Sequence, residues 1–154
     1  MKEMSKIVRT VTNFIMPFII TFGAYIVIHG HLTPGGGFQG GAVLATSIAV
    51  LLVSYGYSAN SKLTENKVSA FELFGLLMFI GVALMGIANS SVFRNFLANK
   101  GGMIFGHSVA YGVNNGAFLT AGTVPLMNIA VGLEVVGAIG TILLLFTAGF
   151  QEDD

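Results

Sequence analysis

The chain has 154 residues, 54% of them hydrophobic and only 9% charged, with no cysteine and with seven basic residues against seven acidic ones. A soluble globular domain carries about 25% charged residues, so this chain lacks the polar groups that would cover a water-facing surface. The balanced charge excludes the basic face of a nucleic-acid-binding protein, and the missing cysteines exclude disulfides, thiolate metal sites and a cysteine nucleophile. The composition defines a polytopic membrane protein of a single domain, residues 1–154.

Long uncharged runs predict four membrane-spanning helices. Between Arg9 and Lys62 lie 52 residues without Asp, Glu, Lys or Arg, and about 20 helical residues cross a bilayer. In lipid every backbone polar group must be satisfied within the segment, and these runs lack the alternation of barrel strands. We therefore predict an all-α integral membrane protein with transmembrane helices over residues 8–28, 38–57, 68–89 and 125–150.

The distribution of basic residues predicts how these helices are oriented. Five basic residues fall on one side of the four crossings and two on the other, and the richer side normally faces the cytoplasm. The five are Lys2, Lys6, Arg9, Lys62 and Lys67, and the two are Arg94 and Lys100. Both termini are thus predicted to be cytoplasmic, in the cell membrane. No small-x-small cleavage site follows Ile28, which favours a retained first helix over a signal peptide.

The loop after the first span, HGHLTPGGGFQGG, cannot continue either helix. Pro34 fixes its own φ and lacks an amide donor, and Gly35, Gly36 and Gly37 can adopt positive φ or allow another backbone to approach closely. Exposed amides at the start of the second helix could hold an anion, and a tight turn with packing glycines is the alternative. A phosphate-binding P-loop is excluded because it requires a lysine that this stretch lacks.

Two histidines, His29 and His31, flank the same loop. Only His107 occurs elsewhere, and no carboxylate lies nearby in sequence, so the residues make a poor metal-ligand set. We interpret His29 and His31 as interfacial side chains that form hydrogen bonds or relay protons.

The loop motif resembles the signature of the MnhB/MrpB subunits of multisubunit Na⁺/H⁺ antiporters. The same subunit type occurs in the membrane arms of archaeal membrane-bound hydrogenases and related respiratory complexes, and the motif does not separate these settings. The resemblance implies a non-catalytic subunit that works beside other membrane subunits in the lipid bilayer, with Na⁺ and H⁺ as the transported ions and without a cofactor. It carries over to His29, His31, Pro34, Gly35, Gly36, Gly37, Phe38, Gly40 and Gly41.

Two acidic residues fall within the predicted spans. Glu134 lies about ten residues into the fourth span, where an ionised carboxylate costs about 2.5–3.5 kcal/mol, and no Lys or Arg lies deep in any span. The Glu134 side chain is therefore protonated, faces the protein interior or contacts a partner. Its role is that of a proton or sodium relay or, alternatively, that of a structural carboxyl. Glu72, near the start of the third span, either complements the helix dipole or feeds ions into a path from the cytoplasm.

The remaining patterns concern packing and the outer loop, residues 90–124. Recurrent glycines in the spans, including Gly36-x-x-x-Gly40 and Gly37-x-x-x-Gly41, predict close contacts between helices. In the outer loop, residues 93–100 can form a short amphipathic helix, and residues 113–116 resemble a hairpin turn. His107 and Tyr111 could join a polar path, although a surface histidine is the favoured interpretation.

Three hypotheses follow for function. In the first, the chain is a subunit of an ion-translocating complex, in which Glu134, Glu72, His29 and His31 handle charge and the Pro–Gly loop shapes the path or docks a neighbour. In the second, the subunit only positions and seals its neighbours. In the third, His29, His31 and Glu134 hold a metal in a membrane enzyme.

Overall fold

A computed structural model describes residues 3–59, 64–98, 104–107 and 119–152. It confirms an all-α fold with four helices that are long and apolar enough to cross a membrane. The helices are α1 (Lys6–His29), α2 (Gly37–Ala59), α3 (Glu65–Met85) and α4 (Val124–Glu152), and a short 3₁₀ turn (Ile87–Asn89) follows α3. Each helix begins one to three residues before its predicted start. Among the described residues the only strand-like pairing is an isolated bridge between His107 and Thr120.

Local contacts show how α1 begins, and a proline lies within the helix. The Ser5 hydroxyl accepts a hydrogen bond from the Val8 amide at 3.5 Å and so caps the helix. Pro17 lies inside the helix and has no amide to donate. The missing amide leaves the Asn13 carbonyl, four residues earlier, without its usual helical donor. Four residues after the proline, the Thr21 hydroxyl donates to the Pro17 carbonyl at 2.8 Å.

The four helices pack in the order α1, α2, α4, α3. Helix α4 contacts all three others, whereas α1 and α3 do not touch each other in the described residues. Helices α1 and α3, at the two ends of this row, consequently expose large apolar side chains. These include Phe14, Phe18 and Phe22 on α1 and Phe71, Phe74 and Leu77 on α3. A surface of this kind suits contact with lipid or with other membrane proteins.

Two contacts hold the ends of the helices that lie on the predicted cytoplasmic side. Leu52, Val68 and Leu144 form a buried cluster that joins α2, α3 and α4. Between α1 and α2, the buried hydroxyls of Thr12 and Ser54 hydrogen-bond to each other. Hydrogen bonds between side chains are a common means of holding membrane helices together.

The outer segment differs from its prediction. Residues 93–98 form turns rather than the expected amphipathic helix, and Phe93 adopts a left-handed backbone with φ 61°. The cause is a competing set of bonds, because the Asn95 side chain donates to the Ala121 carbonyl at 2.8 Å and accepts from the Thr123 amide at 2.9 Å. The segment is thereby tied to the start of α4. The predicted hairpin at residues 113–116 and Tyr111 lie outside the described residues.

Candidate functional site

The predicted break between the first two helices is confirmed at the Pro–Gly loop. Helix α1 ends at His29, whose carbonyl accepts hydrogen bonds from the Leu32 and Thr33 amides at 2.8 and 3.0 Å. Gly35 has a φ of +134°, which side-chain-bearing residues rarely adopt. Helix α2 then begins at Gly37, so the loop forms a tight corner, named here the signature corner (residues 29–41).

The two histidines of the signature corner lie at its start, and both are half-buried. The Nδ1 atom of His29 lies 3.0 Å from the Tyr25 carbonyl oxygen, and its ring stacks near the Tyr25 ring at a centroid separation of 3.9 Å. Because a carbonyl oxygen only accepts hydrogen bonds, this contact is formed by the tautomer that carries its proton on Nδ1. Both ring nitrogens of His31 are buried.

Most glycines of the signature corner serve close packing, as predicted. A Cβ atom on Gly41 would lie 2.8 Å from the Gly132 carbonyl oxygen, so α2 meets the backbone of α4 at this point. On the other side of α2, a Cβ atom on Gly40 would lie 2.8 Å from the Val27 amide of α1. Small residues allow this approach in lipid. By contrast, Pro34, Gly35 and Phe38 are exposed, with Phe38 at 63%.

One polar residue at the signature corner was missed by sequence reasoning. Asn128, in the second turn of α4, places its side-chain amide where Gly30 and Gly36 of the corner come together. Its Nδ2 atom is buried and, among the described residues, has no hydrogen-bond partner. The only signal in the sequence is a single amide among apolar residues early in the fourth span. That signal does not reveal which loop the amide meets.

The two acidic residues of the spans meet at one crossing of α3 and α4. A Cβ atom on Gly75 would lie 2.5 Å from the Glu134 amide nitrogen and 3.0 Å from the Glu134 Cα atom. Reciprocally, a Cβ atom on Gly137 would lie 2.7 Å from the Cα atom of Glu72. Each helix carries the same pattern, a glutamate followed by a glycine three residues later. Each glycine packs against the glutamate of the other helix.

The reciprocal contacts fix the face on which both glutamates lie. An approximate two-fold axis relates Glu72 to Glu134 and Gly75 to Gly137, and it exchanges two antiparallel helices. Such an axis runs perpendicular to the plane that contains both helices, and rotation about it keeps each residue on its own side of that plane. Glu72 and Glu134 therefore lie on the same face of the α3–α4 pair, which we name the acidic face.

The structure corrects the interpretation of Glu72 as a residue that complements the helix dipole. Helix α3 begins at Glu65 rather than at residue 68, so Glu65 is the acid of its first turn. Glu72 lies seven residues further on, about 10 Å along the helix axis, whereas the dipole effect falls off within the first turn. Glu72 thus belongs with Glu134, at the crossing.

The site consists of two separate parts that share α4. One side of α4 contacts the signature corner through Asn128 and Gly132, and another contacts α3 through Ala130 and Glu134. His29 and His31 lie at the signature corner, apart from the α3–α4 crossing. Among the described residues, no group of three His, Asp or Glu side chains could hold a metal ion. The arrangement thus offers no support for the hypothesis of a metal enzyme built from His29, His31 and Glu134.

Together these features define a four-helix membrane protein with a glycine-packed corner and a carboxylate-bearing helix crossing. A family model described as a domain related to the MnhB subunit of Na⁺/H⁺ antiporter matches residues 7–141. The chain therefore belongs to the MnhB family of antiporter subunits and is a multi-pass membrane protein. The resemblance carried by the signature corner is confirmed.

Individual relatives agree with this assignment. A Staphylococcus epidermidis protein named as a candidate antiporter subunit, mnhB2, is 32% identical over 155 residues, which cover 97% of this chain and 99% of that protein. Its counterpart in Staphylococcus haemolyticus is 31% identical over 152 residues, with the same shares covered. An uncharacterized protein of Methanocaldococcus jannaschii is 31% identical over 147 residues, 94% of this chain and 53% of that protein. This chain thus spans about half the length of the archaeal relative.

Proposed function

We propose that this chain is a non-catalytic subunit of a multisubunit Na⁺/H⁺ antiporter module and takes part in ion translocation through Glu134 and Glu72. The observation that supports the proposal is the acidic face. Two carboxylates from different helices lie at membrane depth, on one face, at a crossing kept close by Gly75 and Gly137. Ionisable residues within membrane spans typically mark ion and proton paths.

The chemistry of the two acids suits both ions of such an antiporter. A carboxylate can accept a proton, and its oxygen atoms are ligands that hard cations such as Na⁺ prefer over nitrogen or sulfur. The proposed role of His29 and His31, at the outer boundary, is to relay protons. The signature corner contributes by fixing α4, which carries Glu134.

The test is the replacement of Glu134 by Gln in the complete complex, with Na⁺-dependent proton movement measured in everted membrane vesicles. Gln keeps the size of the side chain but can neither release a proton nor bind a cation as an anion. We expect antiport to fall at least tenfold while the co-purifying subunits stay the same. Glu65→Gln is the matched control, since Glu65 lies in the first turn of α3 and should leave transport unchanged. Wild-type antiport in an assembled Glu134→Gln complex would contradict the proposal.

A second candidate is a structural subunit that positions and seals neighbouring antiporter subunits. The close packing of Gly37, Gly40 and Gly41 favours it, because these contacts account for most of the signature corner without any transport role. Under this alternative, substitutions at Glu134 or Glu72 would reduce transport only to the extent that assembly fails. Quantifying transport and subunit content in the same preparations separates the two functions.

The setting of the subunit is a further part of the proposal. A stand-alone antiporter and the membrane arm of an ion-pumping hydrogenase or respiratory complex both accommodate it. Purification in mild detergent distinguishes them, since large antiporter-like subunits alone indicate the first and nickel or iron–sulfur subunits indicate the second.

A further inference from the structure

The acidic face presents two carboxylates without a partner in the described part of the chain. Neither the Glu72 nor the Glu134 carboxylate forms a hydrogen bond or an ion pair there. Both side chains are half-buried rather than enclosed, and neither contributes a buried unpaired oxygen atom. The carboxylates are therefore accessible at the surface of the described part of the chain, within two helices long and apolar enough to cross a membrane.

The basic residues of the chain itself are badly placed to neutralise them. All seven Lys and Arg residues lie outside the central parts of the four helices. The nearest in sequence on α3 is Lys67, in its first turn, five residues before Glu72. Five helical residues correspond to a rotation of about 140°, so Lys67 and Glu72 lie on different sides of α3. Among the residues that the structure describes, no lysine or arginine is thus placed to supply a counter-charge to the acidic face.

We infer that the acidic face of α3 and α4 is an interface for a membrane helix of a neighbouring subunit that carries a basic side chain, Lys, Arg or His, at the depth of Glu72 and Glu134. The inference rests on the proposed function, because it names the partner of the same carboxylates. Charge complementarity is the argument. Acids exposed to hydrocarbon are strongly disfavoured, whereas a basic group between them neutralises one negative charge and leaves one proton or cation to neutralise the other.

The geometry of the crossing suits one shared partner rather than two. Glu72 and Glu134 lie on the same face, on adjacent helices, with backbones in van der Waals contact through Gly75 and Gly137. One basic side chain that approaches this face can therefore face both carboxylates. A proton or a cation that binds to either acid then competes with that basic group, which couples ion binding to the interface between the subunits.

The direct experiment is a structure of the assembled complex, purified in mild detergent, at a resolution that shows side chains. We expect a basic nitrogen atom from another subunit within about 4 Å of a carboxylate oxygen of Glu72 or Glu134, the range of an ion pair. Acyl chains or only apolar side chains against both carboxylates would overturn the inference. Ionic contact with a residue of this same chain would overturn it too.

A charge-reversal series tests the same contact without a structure. Glu134→Lys and Glu72→Lys would each set two cations against each other. We therefore expect at least a tenfold loss of the neighbouring subunit from the purified complex, with Glu65→Lys as the control that retains it. Replacing the facing basic residue of the neighbour by Glu should restore the complex. Undiminished assembly of both reversed variants, at normal levels in the membrane, would overturn the inference.

These results are separable from those that test the proposed function. If Glu134→Gln abolishes antiport but no basic group faces the acids, the partner is wrong and the translocation role stands. If a basic group faces them but Glu134→Gln transports normally, the interface stands and the translocation role is wrong.

Discussion

At the scale of single residues, glycine and glutamate have different roles at the α3–α4 crossing. Gly75 and Gly137 bring the two backbones together, and the glutamates one turn earlier place their carboxylates on one face. A glutamate at this depth is expensive in either helix alone. Two of them on one face are consistent with ion handling and with a charged partner at the same time.

Gly75→Ala tests the closeness of this crossing. The added methyl group would lie 2.5 Å from the Glu134 amide nitrogen and 2.6 Å from the Ala130 carbonyl oxygen, so the α4 backbone must move. Overpacking of this kind costs typically about 1–3 kcal/mol. We expect a lower midpoint of thermal unfolding for the purified complex and reduced antiport.

Gly81→Ala is the matched control on the same helix. A Cβ atom on Gly81 meets nothing within 4 Å, and alanine favours a helix over glycine by about 0.5–1 kcal/mol. The control should be neutral or slightly stabilising. Equal effects at positions 75 and 81 would mean that the crossing tolerates separation and that the acidic face does not depend on it.

At the scale of helices, the sequence predicted which segments form membrane-spanning helices but not which of these helices contact each other. The four helices are each within four residues of their predicted limits, because the length of the apolar runs largely determines them. The corner at Pro34 and its packing glycines were also predictable from local chemistry. The register that sets Glu72 opposite Gly137 depends on contacts between helices distant in sequence. The sequence therefore predicted the two acids as candidates but not as a pair.

The same limit explains the two other differences. Residues 93–98 have an amphipathic helical pattern, yet bonds from Asn95 to Ala121 and Thr123 override it. Asn128 has no recognisable local signal, because its importance arises only where Gly30 and Gly36 meet. In each case a long-range contact outweighs a local preference.

At the scale of the whole molecule, the helix order leaves α1 and α3 with exposed apolar surfaces that lipid or neighbouring subunits must cover. The orientation of the molecule in the membrane, with both termini in the cytoplasm, is a prediction that cysteine labelling can test. The sequence contains no cysteine, so a single introduced thiol is the only one that labelling of this chain can report. Thr33→Cys and Ser91→Cys, both at exposed positions, should react with an impermeant reagent added to intact cells.

Ser5→Cys provides the control for this labelling, since it lies just before α1 and should react only in everted vesicles. The opposite pattern, with Ser5→Cys labelled in intact cells and the other two protected, would reverse the predicted orientation. It would also exchange the membrane sides assigned to the signature corner and to the start of α3.

The central claim is that Glu72 and Glu134 act as one unit, and a double-substitution cycle tests it most directly. Antiport is measured in assembled complexes that carry Glu72→Gln, Glu134→Gln or both, with subunit content determined in each. Residues that act as a unit are strongly non-additive. We therefore predict that the double variant transports about as much as the poorer single variant. Effects that multiply, or wild-type transport in the double variant, would contradict the account.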